Sequence, residues 1–190
     1  MVTNSVLRRK VQYCADPTVV PTLVPLLLDP DAKVRAATAP ALDRVDPKWK
    51  TKPAAKALAA TAKGQLTTAD AGKRAGGAEV LGLVGDAAQV PALCPVVLDT
   101  EPAVRAAAGK ALDGIDPDWR AKPAAKQAAT AAVKQLTAPD ARKRFDAVGA
   151  LDVIRPATAV APLEQLVARE TDANTRRYAE EVLGRLRKTP

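Results

Sequence analysis

The stretch VPTLVPLLLD at residues 20–29 recurs 70 residues later as VPALCPVVLD at residues 90–99. The same offset relates VRAA at residues 34–37 to VRAA at residues 104–107. Self-similarity at a fixed period is the sequence signature of a repeat protein, in which each unit buries its apolar face against its neighbours. The chain is therefore predicted to be a tandem array rather than a domain with one irregular core.

Three copies of the 70-residue unit organise the chain. The first copy is predicted at about residues 20–89, the second at about 90–159, and a partial third at 160–190. The third copy requires one inserted residue, after which Arg176 aligns with Arg105. We expect the copies to form a single array over the whole chain.

Each copy is predicted to contain two helix pairs. In the second copy, apolar residues follow the i, i+3, i+4, i+7 spacing of one helical face. These residues are Val104, Ala107, Ala108, Ala111, Leu112 and Ile115. The shorter segment 90–98 faces this helix, and Pro91 is admissible in its first turn. The predicted helices occupy residues 3–15, 18–28, 31–45, 51–66, 69–84, 88–98, 101–115, 121–137, 139–154, 157–169 and 172–187.

Four motifs in the middle of the chain resemble the HEAT-repeat pattern. They are VLGLVGD at residues 80–86, VPAL at 90–93, Asp99, and VRAA at 104–107. The nearest resemblance is to bacterial HEAT repeats of the phycobilisome-lyase type, and it concerns the repeat unit alone. The match is specific over residues 75–115, clear over 20–45 and weaker over 139–187, where Asp152 replaces the expected glycine.

This resemblance implies an all-α, right-handed α-solenoid of about five antiparallel helix pairs. It also implies that a turn aspartate and the arginine after it form ladders along the array. The residues in these structural roles are Asp29, Asp99, Arg35, Arg74, Arg105, Arg144 and Arg176. The helix at 3–15 aligns with the second helix of a repeat, so it lacks a first helix as partner. Either an atypical cap begins there or the chain is a piece of a longer protein.

Composition excludes several classes of function. The 190 residues are 47% hydrophobic and only 3% aromatic, which indicates a folded chain with an interior of small side chains. Histidine is absent, and Cys14 and Cys94 both occupy apolar positions of predicted helices. Zinc sites of Cys and His, histidine acid–base catalysis and a Ser-His-Asp triad are therefore excluded. We expect no enzyme activity, no catalytic or metal-binding residue, and no cofactor.

No segment is predicted to span a membrane or to direct export. The longest apolar stretch, residues 19–28, is interrupted by Pro21 and Pro25. It has only about half of the roughly 20 residues that a membrane-spanning helix needs. The basic residues near the N-terminus are not followed by the apolar region of a secretory signal. We therefore expect a cytoplasmic protein.

The duplicated segment DPKWKTKPAAK at residues 46–56 and DPDWRAKPAAK at residues 116–126 carries both tryptophans. In one hypothesis its aromatic and basic side chains bind a partner, because such interleaving suits protein anchors and nucleic acids. In the other, each tryptophan closes the junction between helix pairs by packing over small alanines. The candidate partner-binding residues are Lys48, Trp49, Lys50, Lys52, Lys56, Trp119, Arg120, Lys122 and Lys126.

Positive charge is concentrated in the first copy. Residues 44–63 hold six basic side chains against one acidic one, a net charge of +5, whereas residues 114–134 hold four against two, a net charge of +2. The whole chain has a formal charge of +8. Such a run is either a solvated helix face or a basic stripe for an acidic partner.

These features favour a non-catalytic scaffold that binds another protein or an acidic peptide surface. Nucleic-acid binding is the alternative, because the net charge and the Trp/Lys segments permit it. A third hypothesis is an enzyme similar to DNA alkylation-repair glycosylases, which are also built from HEAT-like repeats and pair tryptophans with an aspartate. Fold resemblance does not confer function, so the partner, the binding face and the oligomeric state stay open.

Overall fold

A computed structural model describes residues 16–188, and these residues form helices and turns without any β-strand. The chain divides into two compact units, Met1–Gly85 and Asp86–Pro190, which we call the N-terminal and C-terminal units. The predicted helix at 3–15, with Cys14, lies outside the described residues.

Five antiparallel helix pairs occupy the described residues, as the repeat pattern predicted. In the N-terminal unit the helices are α1 (Val20–Leu23), α2 (Ala32–Val45), α3 (Pro53–Gln65) and α4 (Ala71–Val84). In the C-terminal unit they are α5 (Val90–Leu93), α6 (Pro102–Ile115), α7 (Pro123–Gln135), α8 (Ala141–Ile154), α9 (Val160–Arg169) and α10 (Ala173–Leu186). Successive helices pair in order, from α1 with α2 to α9 with α10.

The first helices of two pairs are shorter than predicted. Residues 18–28 and 88–98 were each expected to form one helix, but α1 and α5 are single turns flanked by 3₁₀ segments, which end at Leu28 and Leu98. Pro25 and Pro95 are the second residues of the later 3₁₀ segments, and proline has no N–H to donate to the carbonyl four residues earlier. The third copy has Gln165 at this position, and α9 there continues unbroken.

Aspartate side chains begin most of the second helices. Asp31, Asp70, Asp140 and Asp172 are N-cap residues, and each carboxylate accepts a hydrogen bond from a backbone N–H of the first turn. Such caps satisfy donors that have no partner within the helix. These caps explain why the predicted starts of these helices agree with the structure to within about two residues.

Small side chains allow the helices of a pair to approach closely. Alanines such as Ala55, Ala62 and Ala78 are fully buried in the N-terminal unit. A Cβ atom on Gly77 of α4 would lie 2.6 Å from the carbonyl oxygen of Ala62 in α3, so only glycine fits there. Within residues 16–188 no helix is both long enough and apolar enough to cross a membrane.

Candidate functional site

The two junction segments fold in the same way. The N–H of Trp49 donates to the carbonyl of Asp46 at 2.9 Å, and the N–H of Lys52 donates to the carbonyl of Trp49 at 3.0 Å. The corresponding bonds of Trp119 and Lys122 are both 3.0 Å long. Each junction is therefore a tight 3₁₀ turn that leads from the second helix of one pair into the first helix of the next, α3 or α7.

Both tryptophans are completely buried. Trp49 and Trp119 are 0% exposed, and each indole N–H donates a hydrogen bond of 2.8 Å, to Asp43 and Asp113 respectively. The prediction that these rings offer a flat contact surface to a partner is therefore wrong for both. Each large ring is enclosed at its junction, and the carboxylate satisfies its single donor. This burial favours the packing hypothesis for the tryptophans.

A lysine closes each junction through an ion pair. The ammonium nitrogen of Lys52 lies 3.3 Å from a carboxylate oxygen of Asp46, and that of Lys122 lies 3.3 Å from Asp116. A hydrogen bond from the N–H of Lys48, more than the lysine charge, lowers the pKa of Asp46. These two lysines are about half exposed, so each keeps a solvent-facing side despite its structural partner.

The basic residue after each tryptophan differs in what it contacts. Arg120 donates to Asp113 at 2.6 Å and to the carbonyl of Val153 in α8 at 3.1 Å, and its guanidinium lies 4.6 Å from the Trp119 ring centre. Burial raises the pKa of Asp113, but hydrogen bonds from Arg120 and Trp119 outweigh this effect, so the pKa lies below its ordinary value. Arg120 is thus a structural tie within the C-terminal unit.

The N-terminal unit has a freer basic surface at the same position. Lys50 replaces Arg120, and its ammonium group lies 5.8 Å from the Trp49 ring centre. Within residues 16–188, no carboxylate forms an ion pair with Lys48, Lys50 or Lys56, and all three are exposed. We call Lys48, Lys50, Lys52 and Lys56 the lysine edge. In the second copy Asp118 replaces Lys48, and among the four residues equivalent to the lysine edge only Lys126 is exposed without an ion-pair partner in the described part of the chain.

The predicted structural arginines share one local bond. Each donates from its guanidinium to the backbone carbonyl six residues earlier, at the turn that precedes its helix. These pairs are Arg35 with Asp29, Arg74 with Thr68, Arg105 with Asp99, Arg144 with Ala138, and Arg176 with Glu170. The side-chain carboxylates of Asp29 and Asp99 accept backbone N–H groups of their own turns. These arginines therefore hold the turn before their own helix, a contact that the predicted ladder between repeats did not include.

Arg35, Arg105 and Arg144 also connect neighbouring helix pairs. Arg144 forms two bonds of 2.6 Å to Glu170, the turn acid that precedes α10, as the predicted ladder requires. Arg35 and Arg105 instead contact carboxylates inside the next second helix, Glu79 at 2.9 Å and Asp146 at 3.4 Å. Sequence reasoning missed both helix carboxylates, because they lie outside the turn motif.

The carboxylate that pairs with the buried arginine lies about one helical turn later in the first copy than in the second. The first copy has Gly76 and Glu79 where the second has Asp146 and Gly149. Each glycine leaves space for the arginine side chain: a Cβ on Gly76 would lie 3.3 Å from Arg35, and one on Gly149 would lie 2.7 Å from Arg105. A buried arginine at this position therefore pairs with a carboxylate at either place, and glycine occupies the other place in both copies.

A cavity that the sequence did not predict lies between α8 and α10. Its volume is about 530 Å³, and its floor contains Phe145 and Tyr178, whose ring centres are 5.0 Å apart. Arg142, Asn174 and Arg177 are among the polar residues that line it. Comparison of the copies carries a signal for this site, because Gly72 and Ala75 of the first copy correspond to Arg142 and Phe145.

Nothing in the described part of the chain forms a metal site. No group of three His, Cys, Asp or Glu side chains within residues 16–188 could hold an ion. Cys94 is buried, and burial raises the pKa of its thiol to about 11. This thiol is therefore protonated at neutral pH and packs as a small apolar side chain.

Comparisons with known proteins bear on the fold. No family model and no curated protein matches the sequence. A chain from the complex of CpcE and CpcF of phycocyanin lyase from Nostoc sp. PCC7120 is similar in structure, with 19% identity, a TM-score of 0.51, and coverage of 88% of this chain and 99% of that one. Two engineered proteins also match over 88% of this chain, at 21% and 23% identity and TM-scores of 0.44, with 79% and 47% of their own chains covered.

The Nostoc likeness shows the fold and nothing more, because the identity is low. Together with the five helix pairs, it supports the resemblance that the sequence motifs suggested. The chain has the all-α, HEAT-like helical-repeat fold of the solenoid type.

Proposed function

We propose that this chain is a non-catalytic repeat scaffold that binds an acidic surface of another protein through the lysine edge. The observation that carries the proposal is the contrast between the two junctions. The first keeps three exposed ammonium groups without a carboxylate partner in the described chain, whereas the second uses its arginine internally. Unpaired, clustered positive charge attracts an acidic partner and selects against basic ones.

The buried tryptophans favour a protein partner over a single-stranded nucleic acid. Binding of single strands usually combines positive charge with exposed aromatic rings on which bases stack. Here the rings of Trp49 and Trp119 are fully buried, so the lysine edge offers charge without a stacking surface. A lysine cluster of this kind still matches carboxylates on a folded or extended acidic segment.

The non-catalytic part of the proposal rests on the use of the Trp/Asp pairs. A glycosylase-like site would need a tryptophan and an aspartate that a nucleotide can reach. In this chain the indole N–H of each tryptophan already donates to the nearby aspartate, and the ring fills the junction. The Nostoc protein of similar fold belongs to a lyase and is itself found in a complex of two proteins. We extend only the protein partnership to this chain.

The test compares two charge-reversal variants of the whole chain. The lysine-edge variant is Lys48→Glu/Lys50→Glu/Lys56→Glu, and the control variant is Lys33→Glu/Lys110→Glu/Lys134→Glu, which changes the net charge equally at other exposed lysines. The probe is a fluorescein-labelled glutamate-rich peptide, followed by fluorescence polarization. We expect the lysine-edge variant to lose about tenfold or more in affinity and the control variant to lose much less.

Two outcomes would contradict the proposal. Equal losses in both variants would mean that net charge, and not the lysine edge, attracts the peptide. A labelled single-stranded DNA that bound more tightly than the peptide, with an affinity that fell steeply with salt, would favour the nucleic-acid alternative. Circular dichroism of each variant shows that the helices remain folded.

A further inference from the structure

The cavity between α8 and α10 is distant in sequence from the lysine edge and has different chemistry. Its floor combines the rings of Phe145 and Tyr178, which are both half-buried and in contact. Arg142 lines it too; this side chain is 62% exposed although it pairs with Asp146 and donates to the carbonyl of Thr100. Aromatic residues and arginines are enriched among the residues that contribute most to protein–protein binding.

Two of these residues are absent from the equivalent helix of the first copy. The first copy forms the equivalent helix, α4, with Gly72 and Ala75 at the positions of Arg142 and Phe145. Phe145 is the only phenylalanine in a chain that is 3% aromatic. Arg142 has internal contacts with Asp146 and Thr100, but a large half-buried ring that one copy omits and the other places at this cavity indicates a role beyond packing.

The polar groups that line the cavity differ in charge from one end of the two helices to the other. Arg142 and Asn174 lie about one helical turn before the two rings, at the N-terminal ends of α8 and α10, and Glu181 lies about one turn after them. The carboxylate of Asp172 is occupied as the N-cap of α10, where it accepts from Thr175. Helix N-termini attract negative charge, so the end with Arg142 suits a carboxylate.

Arg177 adds an available cation next to the rings. It is exposed and lines the cavity, and within residues 16–188 it has no hydrogen-bond or ion-pair partner. A carboxylate that entered beside Tyr178 could therefore pair with Arg177 and Arg142 while an apolar side chain covered the rings. Charge-assisted pairs with arginine are strong and directional, which gives selectivity to such a site.

We infer that this cavity binds a peptide segment of a protein partner in which a large apolar side chain lies next to an Asp or Glu. The apolar side chain contacts Phe145 and Tyr178, and the acidic one contacts Arg177 and Arg142. This aromatic–arginine cavity is a second binding surface, independent of the lysine edge.

The experiment is a peptide-display selection against the whole chain, with the enriched peptides then measured by fluorescence polarization. We expect enriched sequences to contain a large apolar residue beside Asp or Glu. Phe145→Ala, which restores the residue of the first copy, and Arg177→Glu should each weaken the best peptide by about tenfold or more. The lysine-edge variant should bind this peptide normally, which separates the two proposals.

Three results would overturn the inference. They are the absence of any enriched peptide, an enriched sequence without the apolar–acidic pair, and unchanged binding by Arg177→Glu. Because Arg177 is exposed, this substitution leaves the core intact, and its melting temperature should match that of the unaltered chain. Replacing the acidic residue of the best peptide with its amide should reduce binding as strongly as Arg177→Glu does.

Discussion

The first and second copies of the 70-residue unit share the tryptophan and lysine bonds of the junction and differ in the residues around them. In both, a buried tryptophan donates to an aspartate six residues earlier, and a lysine pairs with the aspartate that opens the junction turn. The residue after the tryptophan is an exposed lysine in the first copy and a bridging arginine in the second. The copies therefore retain what positions the helices and vary what solvent or a partner can reach.

The buried arginine ties show how far this variation extends. Arg35 and Arg105 occupy equivalent positions, yet their carboxylate partners lie one helical turn apart, with glycine at the vacated place. An arginine side chain is long enough to reach either position. The requirement of the fold is thus one carboxylate within reach and space for the guanidinium, and not a particular residue number.

The largest effect on stability is expected at the buried tryptophan of the junction, which the two copies share most closely. Trp119→Ala should lower the free energy of unfolding by about 3–5 kcal/mol, because it removes a fully buried ring and leaves a cavity. Trp119→Phe should cost less, since it mainly removes the N–H that Asp113 accepts. Urea denaturation followed by circular dichroism measures both, and a loss below about 1 kcal/mol for the alanine variant would refute the packing role.

Moving the carboxylate of the second copy to its position in the first copy tests the comparison of the buried arginines Arg35 and Arg105. Asp146→Gly should destabilise the chain by about 3 kcal/mol, because Arg105 would stay buried without its carboxylate partner. Gly149→Glu alone should also destabilise, since its Cβ would lie 2.7 Å from Arg105. The double variant recreates the arrangement of the first copy and should recover part of the loss. A double-mutant cycle of urea denaturation measures this coupling, and strict additivity would contradict it.

The third tie, between Arg144 and Glu170, predicts a dependence of stability on pH. Hydrogen bonds from Arg144, above all, lower the pKa of Glu170 from 4.5 to about 2. Because the pKa is lower in the folded state, the contribution is complete above about pH 4.5 and disappears as the pH falls through about 2. Glu170→Gln should be less stable at neutral pH by on the order of 2 kcal/mol. Melting temperatures across this range should converge at the acidic end; a constant difference would argue against the ion pair.

The smallest effect is expected where the copies already differ. Lys50→Arg gives the first junction the residue of the second, and the new guanidinium should reach Asp43 as Arg120 reaches Asp113. The gain should not exceed about 0.5 kcal/mol, because exposed ion pairs contribute little. Arg120→Lys should lose about 1 kcal/mol, since lysine cannot bridge two acceptors with the same geometry. Thermal unfolding of both variants checks the signs, and equal effects would show that the junctions are interchangeable.

Particular residues show which features local sequence could reveal. The period of 70 residues located all five helix pairs, because apolar spacing and aspartate caps act within a few residues of the chain. The breaks at Pro25 and Pro95 were also readable in principle, since proline alone removes the N–H. Helix α9 has Gln165 at the corresponding position and is continuous, as expected where the proline is absent.

The burial of Trp49 and Trp119 could not be read in the same way. The local sequence of a tryptophan flanked by lysines is the same whether its ring faces solvent or the interior. Only the packing of α3 and α7 against their neighbours determines whether the ring is buried. The cavity at Phe145 and Tyr178 depends on residues 33 positions apart, which only the stacking of α8 on α10 brings together.

The sequence by itself determined the repeat, the helix pairs and the residues that cap and clamp each turn, because those bonds join residues close in the chain. The tertiary structure alone decided which carboxylate each buried arginine contacts, that the tryptophans are internal, and that the lysines of one copy remain exposed. The physical reason is that burial and ion pairing depend on which side chains the neighbouring helix pair presents. No short segment of sequence encodes how that pair packs.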